Sequence, residues 1–142
     1  MAGVLYIVAT PIGNLDDFSA RAVATLKSVD LIAAEDTRHS RRLLNHYGIA
    51  TRMVSCHEHN EQARIADFLA RIESGEAIAL ISDAGTPLIS DPGYSLVAAA
   101  LEAGVKVSPI PGASSIISAL SVAGLPTAFF MSVSCRRKTA ND

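Results

Sequence analysis

Apolar positions along the chain gather into short runs separated by segments of helical period. Residues 4–9, 31–34, 51–54, 77–81 and 106–110 read as strands, the first, second and fourth as near-continuous apolar runs of the kind buried on both faces. Between them the period lengthens. Ser19 caps a predicted helix to about Ser28, with Ala22, Val23 and Leu26 on one side. Thr37 caps a second that ends near Tyr47, with Gly48 just past its end. Asn60 caps a third to Ser74, stopped by Gly75 and striped with Ile65, Phe68, Leu69 and Ile72. A fourth starts near Pro92, and a last one opens at Ser114-Ser115 and ends before Gly124. Strands alternating with helices predict an α/β fold: a five-stranded, mostly parallel sheet flanked by helices.

Composition narrows this without changing it. The 142 residues fit one domain, and with 49% apolar and 18% charged residues the chain is no disordered segment. No apolar run approaches the roughly 20 residues of a membrane span, and no basic leader precedes the first strand, so a cytoplasmic protein with no membrane partner is expected. Cys56 and Cys135 have no metal or redox spacing and read as reduced thiols. A net charge of −2 does not mark a general nucleic-acid binder. Arg38, Arg41 and Arg42 nevertheless cluster, with Arg52 beyond them, and read equally well as a phosphate contact or a solvated helix face.

The candidate chemistry lies after the strands. Ser82-Asp83-Ala84-Gly85-Thr86-Pro87-Leu88-Ile89-Ser90-Asp91-Pro92-Gly93 follows the fourth strand, where a plain strand-to-helix turn takes about 2–6 residues. Its small residues admit a ligand close to backbone, and its prolines stiffen it. Thr10-Pro11-Ile12-Gly13-Asn14 and Pro111-Gly112-Ala113-Ser114-Ser115 follow the first and fifth strands. Loops at the carboxyl ends of strands are where open α/β sheets bind ligands, and Ser114 and Ser115 begin a helix whose free amides favour an anion. The patterns of a P-loop and of a standard dinucleotide site are absent.

Glu35-Asp36-Thr37-Arg38 crowds the end of the second strand, where Arg38 among carboxylates suits an anion. His57-Glu58-His59-Asn60 puts two imidazoles on one side of an extended segment. No set of three or four ligands completes a zinc site around them, so no metal is expected and a polar lead-in to a helix is favoured. Ser114 lacks a His and acid partner for a hydrolase triad.

Together, residues 5–15, the run Ala33-Ala34-Glu35-Asp36-Thr37-Arg38, the twelve-residue loop from Ser82 to Gly93 and Pro111-Gly112-Ala113 resemble the tetrapyrrole (corrin/porphyrin) methylase superfamily, and within it the bacterial small-subunit rRNA 2′-O-ribose methyltransferases. The resemblance runs from about Leu5 to Thr127. It implies the N-terminal domain of the tetrapyrrole methylase fold and S-adenosylmethionine as cofactor. The acceptor would be a cytidine ribose 2′-hydroxyl of 16S rRNA in the small ribosomal subunit, and the full-length family is expected to be homodimeric. By the same analogy the cofactor touches Pro11, Ile12 and Gly13, then Asp83, Gly85, Thr86 and Pro87, then Ser114 and Ser115. Arg38, Arg41 and Arg42 would hold RNA backbone. Glu35, Asp36 and His57 are candidates for the base that takes the hydroxyl proton, and His59 remains beside them.

The resemblance also breaks. The family has two α/β domains, so residues 1–128 correspond to the first and the C-terminal domain is missing. Residues 129–142 diverge from the family's linker, yet from Val133 onward a one-base shift can restore Phe-Leu-Pro-Ala-Lys, so a frameshifted or truncated product is expected, inactive or nearly so alone. Two other functions stay open: a non-catalytic remnant that survives as a binding domain, and a methyltransferase acting on a tetrapyrrole or another small molecule. The Glu-Asp-Thr-Arg run and the Ser-Asp-Ala-Gly-Thr-Pro loop argue against the tetrapyrrole substrate.

Overall fold

A computed structural model describes residues 3–89 and 91–126, and the divergent segment 129–142 lies outside them. Five strands, β1 (Val4–Val8), β2 (Leu31–Ala34), β3 (Met53–Ser55), β4 (Ala77–Ile81) and β5 (Lys106–Ile110), form one sheet in the order β3-β2-β4-β1-β5. Every neighbouring pair is parallel. The helices are α1 (Ala20–Ser28), α2 (Thr37–His46), α3 (Glu61–Glu73), α4 (Tyr94–Glu102) and α5 (Ser115–Val122). Among the described residues no helix is long and apolar enough to cross a membrane.

Period-two alternation divides the sheet's side chains between two cores. Val8, Ile32, Ala34, Ala79, Ile81 and Ile110 pack with Ala22 and Leu26 of α1 and Leu44 of α2. Leu5, Ile7, Leu31, Ala33, Ile78 and Leu80 pack with Phe68 and Ile72 of α3 and Leu96 and Ala100 of α4. Helices on both faces leave the central strands no polar side, which is why β2 is buried at all four positions. Cys56 lies in the second core, and burial, then the nearby Glu61 carboxylate, pushes its thiol up to about 11.

This layering sets where a ligand can sit. The chain leaves β1 toward α1 on one face and leaves the adjacent β4 toward α4 on the other. Two neighbouring strands whose connections diverge in this way open a crevice at their carboxyl ends.

Helix starts depart from the sequence reading in instructive ways. Ser19 caps α1 as expected, its Oγ accepting from the Ala22 amide at 3.0 Å. Asp36, not Thr37, caps α2: its Oδ1 accepts from the Arg38 amide at 2.9 Å and the His39 amide at 3.3 Å, and Thr37 is already helical. Asn60 makes no capping bond to α3, because its backbone is near-helical and its side chain turns back. There Oδ1 accepts from the His57 amide at 2.8 Å and Nδ2 donates to the Ser55 carbonyl at 3.3 Å. β3 starts at Met53 rather than Thr51, whose hydroxyl instead donates to the Leu26 carbonyl at 2.6 Å.

α4 starts at Tyr94 rather than Pro92, because Gly93 before it has φ +125°, outside any helix. A Cβ at Gly93 would come 2.7 Å from Leu80 Cδ2, so the turn needs glycine for space as well as for φ. With glycine at the cap position, the helix takes its acceptor from a distance. Glu61, buried at the start of α3, accepts from the Leu96 amide at 3.0 Å. That carboxylate fastens α4 to α3 and meets the positive end of the α4 dipole.

Substitution Glu61→Ala leaves the Leu96 amide buried without an acceptor and is expected to destabilise the chain by about 1–3 kcal/mol. Glu61→Gln keeps an acceptor oxygen and is expected to lose less. Urea unfolding of both variants checks the order, and equal losses would contradict the capping role.

Candidate functional site

The loops after β1 and β4 are tied to each other by backbone. The Thr10 amide donates to the Gly85 carbonyl at 3.0 Å, and the Gly85 amide donates to the Thr10 carbonyl at 3.1 Å. This antiparallel bridge stands outside the parallel sheet and closes its carboxyl edge. Side chains brace it: the buried Thr10 hydroxyl lies 3.3 Å from the Ser82 carbonyl, and the Ser82 hydroxyl 3.3 Å from the Gly85 carbonyl. Gly85 has φ +79°, the left-handed region that glycine enters without penalty. Leu88 also lies there, at φ +77°, held by its packing against the α3–α4 core.

The loop after β5 closes in from the other side. The Ala9 amide donates to the Ile110 carbonyl at 3.1 Å, and a Cβ on Gly112 would fall 2.8 Å from that of Ala9. Glycine at 112 is therefore what lets the third loop pass against the first. Ser114 then caps α5, its Oγ 3.4 Å from the Ile117 amide, while the Ser115 and Ile116 amides precede any helical carbonyl that could accept from them.

A cleft of about 310 Å³ opens where these loops meet, lined by Ile12, Ala84, Gly85, Thr86, Ile89, Ala113, Ser114, Ser115 and Ile116. Ile12, Gly85, Thr86, Ser114 and Ser115, expected from the sequence to share a site, are thus brought together. Pro11, Gly13 and Asp83 instead line a neighbouring cleft of about 310 Å³, which shares Ile12 and Ala84 with the first. Pro87 is buried and lines neither, so it shapes the loop. Ala84, Ile89, Ala113 and Ile116 were not singled out from sequence. Ala84, Ala113 and Ile116 adjoin residues that were; Ile89 adjoins none, and both it and Ile116 line the cleft while largely exposed.

The base candidates lie on the other side of the β4 loop. Glu35 opens on a separate cleft of about 350 Å³ with Glu58, Asp91 and Pro92. Burial, then the Asp83 and Asp91 carboxylates, raises its carboxyl above the ordinary range. Asp36 is held below that range, because its carboxylate accepts from the His39 and Arg38 amides. His57 sits in the lead-in to α3, its ring edge-on to that of His59 at 5.9 Å, its Nδ1 buried and unpartnered. Among the described residues no three His, Cys, Asp or Glu side chains group as a metal site. Arg38 and Arg41 are exposed on α2, while Arg42 lines a groove of about 420 Å³ with Leu15, His39, Leu43 and His46.

The chain is similar in sequence to named proteins and in fold to solved structures. The chain is 58% identical over 130 residues to "Ribosomal RNA small subunit methyltransferase I" of Pseudomonas aeruginosa, covering 92% of this chain and 46% of that protein. It is 58% identical over 125 residues to the protein of the same name from Escherichia coli O157:H7, covering 88% of this chain and 44% of that one. The chain thus spans about half the length of the curated relatives it matches. Among solved structures, uroporphyrin-III-C-methyltransferase from Thermus thermophilus superposes with a TM-score of 0.65 at 22% identity, covering 91% of this chain and 55% of that one. A diphthine synthase does so with a TM-score of 0.65 at 17% identity, covering 87% and 49%. At such identities the likeness is one of fold. The model of the tetrapyrrole (corrin/porphyrin) methylases matches residues 4–140, and the chain belongs to that family.

Proposed function

We propose that this chain is the donor-binding half of an S-adenosylmethionine-dependent methyltransferase that acts on a ribose 2′-hydroxyl of a 16S rRNA cytidine. The observation that carries the reading is the cleft formed by the loops after β1, β4 and β5. Ile12, Ile89 and Ile116 give it apolar sides for a purine and a thioether chain, and the first amides of α5 suit a carboxylate. The methyl donor, when bound, supplies an electrophilic methyl on a sulfonium. The residues of the cleft bind and orient, and for a single in-line transfer that positioning supplies much of the rate. The names of the relatives support a small-subunit rRNA acceptor. The ribosomal subunit as substrate particle, a cytoplasmic location and a homodimer of the full-length protein belong to the same proposal.

For the hydroxyl proton the reading assigns Glu35. A base works best with a pKa near the working pH, and among the three candidates Glu35 is the carboxyl moved upward. Asp36 is moved downward and is spent on the α2 amides. With Glu35 on the β2 side and the donor cleft on the β1 side, the acceptor ribose would lie across the β4 loop between them.

Two tests follow from this reading. A carboxyl raised by folding gives full stability below the unfolded-state carboxylate range, and that stability is lost as pH rises through the raised value. Glu35→Gln removes the loss, so relative to wild type it is expected to gain stability as pH rises above the unfolded-state carboxylate range in urea unfolding. A difference that stays constant or reverses would contradict the raised carboxyl. For the activity, the chain extended to its relatives' full length is expected to transfer a labelled methyl from S-adenosylmethionine to unmethylated small subunits, with Glu35→Gln losing the acidic limb of the pH–rate profile. Transfer to a tetrapyrrole instead, or to neither acceptor, would overturn the reading.

A further inference from the structure

A second concave surface lies beside the donor cleft. The groove of Leu15, His39, Arg42, Leu43 and His46 measures about 420 Å³. It shares Leu15, His39 and Leu43 with the cleft that holds Pro11, Gly13, Asp83 and Ala84. The two therefore form one trough, running from α2 to the Thr10–Gly85 bridge. On α2, about 100° per residue puts His39, Arg42, Leu43 and His46 on one face and turns Arg41 well away from it.

The walls of the trough are fixed. The Tyr47 hydroxyl donates to the Leu15 carbonyl and pins the short 3₁₀ turn Leu15–Asp17 onto the end of α2. Phe18 packs edge-on against Tyr47, with ring centroids 5.2 Å apart, and holds the same corner. At the other end His39 Nε2 lies 3.1 Å from the Asp83 carbonyl. A carbonyl can only accept, so Nε2 carries the proton, and α2 is fastened to the β4 loop. Among the described residues Arg42 has no carboxylate partner, so its guanidinium is free for an outside anion.

The chemistry is mixed in a particular way. Leu15 and Leu43 make an apolar floor, His39 and His46 offer flat rings, and Arg42 offers a planar cation. Unpaired nucleotides are recognised by such sets, with the base stacked on a ring or guanidinium and the phosphate paired to Arg. We propose that this trough is a docking groove for an unpaired RNA nucleotide, with its phosphate on Arg42 and its base over the Leu15–Leu43 floor between the two imidazoles. The strand would then run along α2 toward the donor cleft. The proposal rests on the RNA-acceptor reading for its meaning, but not for its test.

The test is fluorescence anisotropy of a short unstructured oligoribonucleotide on the 142-residue chain, with S-adenosylhomocysteine binding measured beside it. Arg42→Ala and His46→Ala are expected to weaken oligonucleotide binding about tenfold each and leave S-adenosylhomocysteine affinity unchanged. Arg42→Ala should also lower the slope of log affinity against log salt by about 0.7. Arg21→Ala, on exposed α1 surface, is the control and should bind as wild type. Unchanged affinity in both groove variants would overturn the proposal, as would displacement of the oligonucleotide by inorganic polyphosphate at equal charge. Neither arm needs methyl transfer, so failure of the groove and failure of the activity reading separate cleanly.

Discussion

The Thr10–Gly85 bridge is the constraint on which the rest of the site depends. A parallel sheet ends in loops that diverge, and left alone each would move by itself. Two backbone hydrogen bonds between the loops of neighbouring strands turn them into a single wall. Three unusual sequence features serve that wall: the buried Thr10 hydroxyl, the left-handed Gly85, and the small Gly112 that lets the third loop close in. The proposed donor cleft, the trough along α2 and the acidic cleft of Glu35 all border loops that this wall holds in place.

Placement of charge follows from the same arrangement. Loops on the β1 and β5 side carry small and apolar residues with helix amides, suited to an uncharged or anionic ligand end. The β2 and β3 side carries Glu35, Glu58 and Asp91, and burial, then the Asp83 and Asp91 carboxylates, raises the Glu35 carboxyl. A planar cation and two imidazoles, Arg42, His39 and His46, line the groove along α2. The proposed methyl donor, proton acceptor and polyanionic strand would need three different environments, and the β4 loop stands between these.

Much of this was legible in the sequence, for physical reasons that differ by element. β2 and β4 are buried on both faces, so their apolar runs stand out between polar turns. Ser19 caps locally, and a local hydrogen bond can be read from a local pattern. Ile12, Gly85, Thr86, Ser114 and Ser115 share one cleft because their glycine-, proline- and serine-rich loops all follow strands of one parallel sheet. Long-range contacts were not legible. Glu61 caps α4 across 35 residues, Tyr47 reaches Leu15 across 32, and nothing in either segment announces its partner. Asn60 misleads for the converse reason: its amide satisfies the loop behind it rather than the helix ahead. The arginine cluster of α2 likewise divides only once helical phase and the position of Leu15 are known, leaving Arg42 alone in the groove.

The central claim is that the wall exists before any ligand arrives. Hydrogen exchange of the Thr10 and Gly85 amides in the ligand-free chain tests it most directly, with the β1 and β4 amides as the slow reference and the Gly13 amide as the fast one. The account predicts that Thr10 and Gly85 exchange with the strands, opening only in larger unfolding events. Exchange of both at the rate of Gly13 would mean that the loops move independently, and a preformed donor wall would have to be abandoned.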